Sequence, residues 1–183
     1  MSVSLRDARH SPDSRRWIEG VFPEYLDALS TVTLSTGIFP MRGEFGDREP
    51  DMLARWFGDG GSYPLVILQN DKPVGFAVVS KPLSPQRAQL DYRMAEFFIA
   101  KSQRRLGIGR QAVELIFRRF AGRWEITEIH SNRDAIAFWR SVLREFAPDQ
   151  PYRERLENGE IKQYFDSRLS RGTPMDRSFS RSS

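Results

Sequence analysis

The chain of 183 residues carries 28 Lys and Arg against 24 Asp and Glu, a net charge of +4, and is 39% hydrophobic. That size suits one domain with a single core, and the basic excess favours a polyanionic partner: nucleic acid, acidic membrane or a phosphate-rich cofactor. Cysteine is absent, which excludes disulfides, zinc-thiolate sites and thiol nucleophiles.

The amino terminus, MSVSLRDARHS, has no apolar segment of the kind that forms a secretory signal. No apolar run approaches the ~18–20 residues that span a bilayer. A cytoplasmic protein without membrane partners is therefore expected. Ser2–Ala8 reads as a first strand. From Pro12 to about Leu29, Trp17, Val21, Tyr25 and Leu29 recur at fourfold spacing, predicting an amphipathic helix interrupted by Pro23. A loop with Gly and Pro follows. Met52, Leu53, Trp56 and Phe57 then share a stripe of a second helix, Asp51–Phe57.

Pro64–Gln69 and Val74–Ser80 are apolar strands joined by a turn sequence, Asn70-Asp71-Lys72-Pro73, and so predict a hairpin. Asp91–Ala100 is a further strand. In Arg110–Phe120, Val113, Ile116, Phe117 and Phe120 fall on one helical face, with Glu114 and Arg118 placed to pair outside it. Gly122 is expected to stop that helix. Trp124–His130 alternates as a strand, and Asp134–Phe146 is helical. Tyr152–Leu156 and Ile161–Phe165 flank Asn158-Gly159, a strong hairpin turn. This order predicts an α/β fold with a mixed, mostly antiparallel sheet. One domain is expected over residues 1–169. Residues 170–183, rich in Ser and Arg, read as a flexible tail.

The chemically informative stretch is FFIAKSQRRLGIGRQAVELIF, residues 97–117. A buried strand enters a basic loop that opens directly into a helix. Gly107 and Gly109 carry no Cβ, so backbone N–H groups can converge on a ligand there. The helix start adds unsatisfied donors and the positive end of its dipole. Arg104, Arg105 and Arg110 add full charges, and the whole suits a pyrophosphate. A P-loop would need GxxxxGK[ST], which does not occur. A dinucleotide fingerprint would need a third glycine where Ala112 stands, although Glu125 or Glu128 lies near the distance of a ribose ligand.

Arg104-Arg105-Leu106-Gly107-Ile108-Gly109 resembles the R/Q-x-x-G-x-G/A signature of the GCN5-related N-acetyltransferases (GNAT superfamily). The match extends on both sides. The strand MAEFFI stands where that family has its central splayed strand, and SNRDAIAFWRSVL resembles the family's Asn-led helix, N-x-x-A-x-x-F-Y. Element order agrees over residues 62–165, and Asp91–Leu143 is the specific part. The resemblance implies a GNAT (acyl-CoA N-acyltransferase) fold, its sheet splayed at the middle strands and flanked by helices.

It also implies an acetyl-CoA-dependent N-acetyltransferase that moves an acetyl group to a primary amine of a small molecule or protein, without a metal. The arm of CoA would lie along backbone groups of Phe97, Phe98 and Ile99. The pyrophosphate would sit on amides of Arg105, Leu106, Gly107, Ile108, Gly109 and Arg110, with Arg104 beside it. Asn132 matches an Asn that contacts the arm, and it equally suits a helix N-cap. For the base that deprotonates the amine, the first choice is Glu96, a lone carboxylate in an apolar strand where desolvation raises a pKa. A carboxylate paired to an arginine such as Arg93 is the structural alternative. By alternation Glu96 shares a face with Phe98, and a bulge would change that parity. His130 is the second choice and Asp91 the third.

Many members of the family carry Tyr as general acid where this chain has Trp139 after Phe138. An indole N–H hydrogen-bonds but does not yield its proton at useful pH. That leaves the acid to Tyr152, Tyr164 or water, or thiolate departure unassisted. It also keeps open a non-catalytic acyl-CoA-binding protein that retained the cleft. A nucleic-acid binder using the Arg-rich loop and tail lacks supporting aromatic platforms or a helix-turn-helix. The expected partners are acetyl-CoA and an amine acceptor, with homodimer formation open. The loop 41–51 carries Glu44, Asp47, Glu49 and Asp51, carboxylates that suit a cationic amine.

Overall fold

The computed structural model describes residues 2–33, 49–58, 60–82, 89–146, 148 and 152–169, with 31–33 and 49–51 described in backbone only. Among the described residues, seven strands and four helices follow the predicted order. They are β1 (Val3–Asp7), α1 (Pro12–Thr33), α2 (Glu49–Gly58), β2 (Ser62–Gln69), β3 (Lys72–Ser80), β4 (Tyr92–Ile99), α3 (Ile108–Arg119), β5 (Arg123–Ile129), α4 (Arg133–Phe146), β6 (Arg153–Glu157) and β7 (Glu160–Asp166). The tail 170–183 and the acidic loop positions Glu44 and Asp47 lie outside the described residues. Glu49 and Asp51 are backbone positions of α2.

The strands form one sheet in the order β1-β2-β3-β4-β5-β7-β6. All pairs are antiparallel except β4 with β5. Both predicted hairpin turns place two residues at positive φ: Asn70 and Asp71 between β2 and β3, Asn158 and Gly159 between β6 and β7. That is the pattern whose twist matches the flanking strands.

Helices cover both faces. On one, Ile18, Phe22, Tyr25, Met52 and Trp56 from α1 and α2 pack against Val66, Phe76 and Phe98. On the other, Val113, Ile116 and Phe117 of α3 and Trp139, Val142 and Leu143 of α4 cover Leu65, Ala77 and Trp124. The buried stripe of α1 is centred on Ile18 and Phe22, so Trp17, Val21 and Leu29 form its flank. Pro23 does not interrupt α1. Proline removes one intrahelical hydrogen bond, but Pro23 and Glu19 lie on the exposed side, where water can serve the Glu19 carbonyl. Gly122 is not a left-handed cap, since the only glycines at positive φ are Gly107 and Gly159 among the described residues. Its missing Cβ instead admits Asp91, whose Cβ would stand 2.9 Å from one built there.

Two irregularities in the middle of the sheet shape the site. Between β3 and β4 the register shifts: Val78 faces Glu96, while Val79 faces Met94, so Ala95 is an inserted residue. The bulge puts Met94 on the α3–α4 face and turns Glu96 to the opposite one, beside Phe98. The second irregularity is that β4 and β5 pair only at Tyr92–Trp124, Arg93–Glu125 and Met94–Ile126. Beyond that point both strands continue, each held by its outer neighbour: β4 by β3 as far as Ile99, and β5 by β7 as far as Ile129. A gap therefore opens in the centre of a continuous sheet.

Gly75 fastens the β3 side of the gap. A Cβ there would stand 2.3 Å from the Phe98 carbonyl oxygen and 3.2 Å from the Ile99 Cα. Backbone cannot yield as a side chain can, so Gly75→Ala is expected to destabilise the fold by about 1–3 kcal/mol, the usual cost of overpacking. Urea denaturation checks this; a midpoint equal to wild type would mean that β3 and β4 are not held so closely.

Candidate functional site

The gap widens into a cleft of roughly 1840 Å³. That exceeds the ~300–1,000 Å³ usual for one small ligand, so two molecules can lie in it together. Its floor is β4 from Arg93 to Ile99 and β5 from Thr127 to Ile129; its ends are the loop before α3 and the β6–β7 turn.

The loop end gathers backbone N–H groups and arginines, a combination chemically suited to an anion. After β4 the chain makes a 3-10 turn, Lys101–Gln103, then Arg105 and Gly107 take positive φ of 64° and 78°. Gly107 is the N-cap of α3, and no side chain caps the helix. The amides of Ile108, Gly109 and Arg110 belong to the first turn, where an α-helix offers no internal acceptor. No acidic residue occupies that turn, so the positive end of the dipole is uncompensated. Gly109 has a packing role: a Cβ there would stand 3.4 Å from the Phe138 ring.

The arginines divide their work. Arg104 donates from Nε to the Ile99 carbonyl at 2.8 Å, its guanidinium 5.5 Å from the centre of the Phe98 ring. It therefore ties the loop to the end of β4. Arg105 lies 3.7 Å from Asp134, both highly exposed. Arg110 pairs with Glu145 and donates to Ser141 at 3.3 Å. All three line the cleft. Leu106 is exposed and Ile108 is buried in the core, so neither side chain faces the cleft and each can act only through its backbone.

An aromatic wedge keeps the gap open on the α4 side. Phe97 stacks on Phe138 with centroids 5.7 Å apart and meets Trp139 edge-on at 5.3 Å. The Phe97 side chain is thus committed to packing, and Phe98 and Ile99 are buried. What these residues offer the gap is backbone. Thr127 adds a buried hydroxyl without a hydrogen-bond partner at the edge of the parting.

At the centre of the cleft stand two carboxylates, reaching it from opposite faces. Glu96 comes from the α1 face and accepts a hydrogen bond from the Tyr25 hydroxyl. Burial pushes its carboxyl up to about 7, against the lowering effect of that bond, and the negative Glu128 adds to the rise. Glu128 comes from the α4 face. It accepts from Trp139 Nε1 at 2.8 Å and from Asn132 Nδ2 at 3.4 Å. Burial pushes it up to about 7 as well, opposed by the Trp139 bond. Arg93, the partner considered for Glu96, donates from Nε to Glu125 at 3.0 Å. Burial and the neighbouring Glu96 also hold the Tyr25 phenol well above its usual range.

Asn132 is both N-cap and cleft residue: its Oδ1 accepts from the Ala135 amide at 3.3 Å, and its amide nitrogen reaches Glu128. His130 is exposed and stands outside the cleft lining; its backbone N–H bonds to the Gly159 carbonyl at 2.9 Å. Asp91 is held by Arg123 through three hydrogen bonds away from the cleft. Tyr152 and Tyr164 likewise do not line it. Tyr25 and Glu128 enter the site unexpectedly. The signal for Glu128 is its place on the same strand face as Trp124 and Ile126, and for Tyr25 a polar tip within a buried helical stripe.

The sequence matches the "Acetyltransferase (GNAT) family" over residues 29–143. The chain belongs to the GNAT family of acetyltransferases. No curated protein matches it, but solved structures share its fold at low identity. An acetyltransferase from Thermus thermophilus is 16% identical with a TM-score of 0.59, covering 90% of this chain and 95% of that one. Aminoglycoside 6'-acetyltransferase type Ii is 13% identical with a TM-score of 0.58, covering 91% and 97%. Arabidopsis thaliana NAA60 in complex with acetyl-CoA is 12% identical with a TM-score of 0.53, covering 90% and 98%. The GNAT fold predicted from the sequence is thus the fold observed. Among the described residues no acidic, His or Cys cluster suits a metal, and no helix is long and apolar enough to cross a membrane.

The two raised carboxylates make stability depend on pH. Between about 4.5 and about 7 the folded chain holds protons that the unfolded chain releases, so stability falls as pH rises through that window. Glu96→Gln removes one of these groups. Its denaturation midpoint, compared with wild type at pH ~5 and pH ~8, is expected to gain on wild type at the higher pH. Parallel behaviour at both values would contradict the burial assigned to Glu96.

Proposed function

We propose that the protein transfers an acetyl group from acetyl-CoA to a primary amine of a small molecule or protein, by direct attack of the amine on the thioester. The observation that carries this reading is the parting of β4 from β5 beyond Met94 and Ile126, with an uncapped, acid-free helix start at one end and a buried carboxylate midway. The gap leaves sheet backbone to be completed by an extended, amide-containing arm, as an unpaired edge is. The amides from Arg105 to Arg110, flanked by Arg104, suit a diphosphate, and Asn132 and the backbone of Phe97, Phe98 and Ile99 suit the arm. Likeness to a structure solved with acetyl-CoA agrees with this.

Acetyl-CoA supplies an activated carbonyl carbon, and the chain supplies position and proton transfer. An alkylammonium has no lone pair, so attack requires the neutral amine. Glu96, directly or through water, takes the proton that the nitrogen of the neutral amine sheds once it has bonded to the carbonyl carbon, and the Tyr25 hydroxyl fixes the carboxylate's orientation. A base with a pKa of about 7 is matched to neutral conditions. His130 serves this role less well because its exposed side chain lies outside the cleft lining. The second reading, an acyl-CoA binder without turnover, rests on Trp139, whose indole N–H already bonds to Glu128.

Release of free CoA over a panel of polyamines, aminoglycosides and amine-bearing peptides separates the two readings. Release with at least one amine is expected; a rise in Tm with acetyl-CoA but no release with any amine would leave only the binder. Gly107→Glu places a bulky negative side chain in the cradle at a positive φ and is expected to abolish acetyl-CoA binding by calorimetry, so unchanged affinity would remove the site. Glu96→Gln is expected to lower kcat by ~10²–10⁴-fold, with little effect on acetyl-CoA affinity. It should also remove the rise in rate with pH through about 7. A profile like wild type would remove Glu96 as the base.

A further inference from the structure

We infer that Glu128, held by the indole of Trp139 and the amide of Asn132, is the proton donor to the departing thiolate, so that Glu96 and Glu128 act as an opposed base and acid across the gap. This rests on the transferase reading above. Several observations converge on Glu128. It lines the same cleft as Glu96 but approaches from the other face of the sheet. Both its oxygens are engaged by donors from the Asn132 cap and α4, which fixes its direction. Trp139 is buried at 2% exposure, and its N–H is spent on Glu128 rather than offered to a ligand.

The negative charge of Glu128 adds to the rise of both Glu96 and Tyr25. Arg93 on β4 and Arg55 on α2 act on Glu96 against that rise, and Lys162 and Glu160 on β7 also line the cleft. Lys162 is engaged by Glu157 at 3.0 Å. With both carboxyls pushed up to about 7 by burial, the two together hold about one proton near neutral pH.

The proton sequence balances. The neutral amine nitrogen bonds to the carbonyl carbon, and the adduct's ammonium gives its proton to ionised Glu96. The carbon–sulfur bond then breaks with its electrons on sulfur, which takes the proton of Glu128. Return of a proton from Glu96 to Glu128 restores the starting state, so the enzyme gains and loses none.

Three variants test this. Glu128→Gln keeps the shape and an acceptor for Trp139; it is expected to lower kcat by ~10²–10⁴-fold, with the KM for acetyl-CoA within about twofold. It should lose the fall in rate at alkaline pH while keeping the rise at acidic pH. Trp139→Phe removes a hydrogen bond that favours ionised Glu128, so its alkaline limb should move to higher pH. Glu96→Gln should lose the opposite, acidic limb. In the wild type without substrate, the Trp139 indole N–H resonance, identified by its loss in Trp139→Phe, should titrate with a midpoint near 7 and be flat in Glu128→Gln. An alkaline limb that survives in Glu128→Gln overturns the assignment, as does a flat indole resonance in the wild type. Normal titration in a protein that acetylates no amine would instead place the failure in the transferase reading.

Discussion

The structure depends on the early end of one strand pairing. Among the described residues β4 and β5 are the only parallel neighbours in the sheet, and they bond at just three residue pairs before separating. A gap in the centre of a sheet costs backbone hydrogen bonds that a buried segment does not readily forgo. It persists because each strand is held along its length from outside, β4 by β3 and β5 by β7. Phe97, Phe138 and Trp139 fill the space on the α4 side. Gly75 lets β3 press close to β4, and the bulge at Ala95 aims Glu96 to the other face.

Charge is distributed along this gap with a consistent logic. At the loop end the first-turn amides of α3 stand beside Arg104, tied to the Ile99 carbonyl, and beside Arg105 and Arg110, paired with Asp134 and Glu145. Toward the centre, two carboxylates sit in surroundings poor enough in water to hold their protons into the neutral range. The replacement of a phenol by an indole at position 139 has a structural counterpart here. The indole donates to the Glu128 carboxylate on β5 at 2.8 Å.

The element order was fully legible from the sequence because hydrophobic periodicity reports burial directly, as with Val113, Ile116 and Phe117 on α3. The glycine loop was legible because its residues are contiguous. Three things were not. Pro23 looks like a break, yet its place on the exposed face makes it tolerable. Gly122 looks like a cap but serves a contact with Asp91, which lies 31 positions earlier in the chain and so leaves no local signal. The partners of Glu96 depend on tertiary contact: Tyr25 is 71 positions away in the chain. Arg93, three positions away, goes to Glu125. His130 illustrates the converse, since position at the end of the correct strand did not bring its side chain into the cleft.

Occupancy of the gap is read most directly by amide hydrogen exchange with and without acetyl-CoA. The ligand is expected to slow exchange in two separate segments, the backbone of Phe97–Ile99 and the amides of Arg105–Arg110. Slowing confined to the arginine-rich loop, with Phe97–Ile99 unchanged, would contradict it, because the ligand would then be held by surface charge alone.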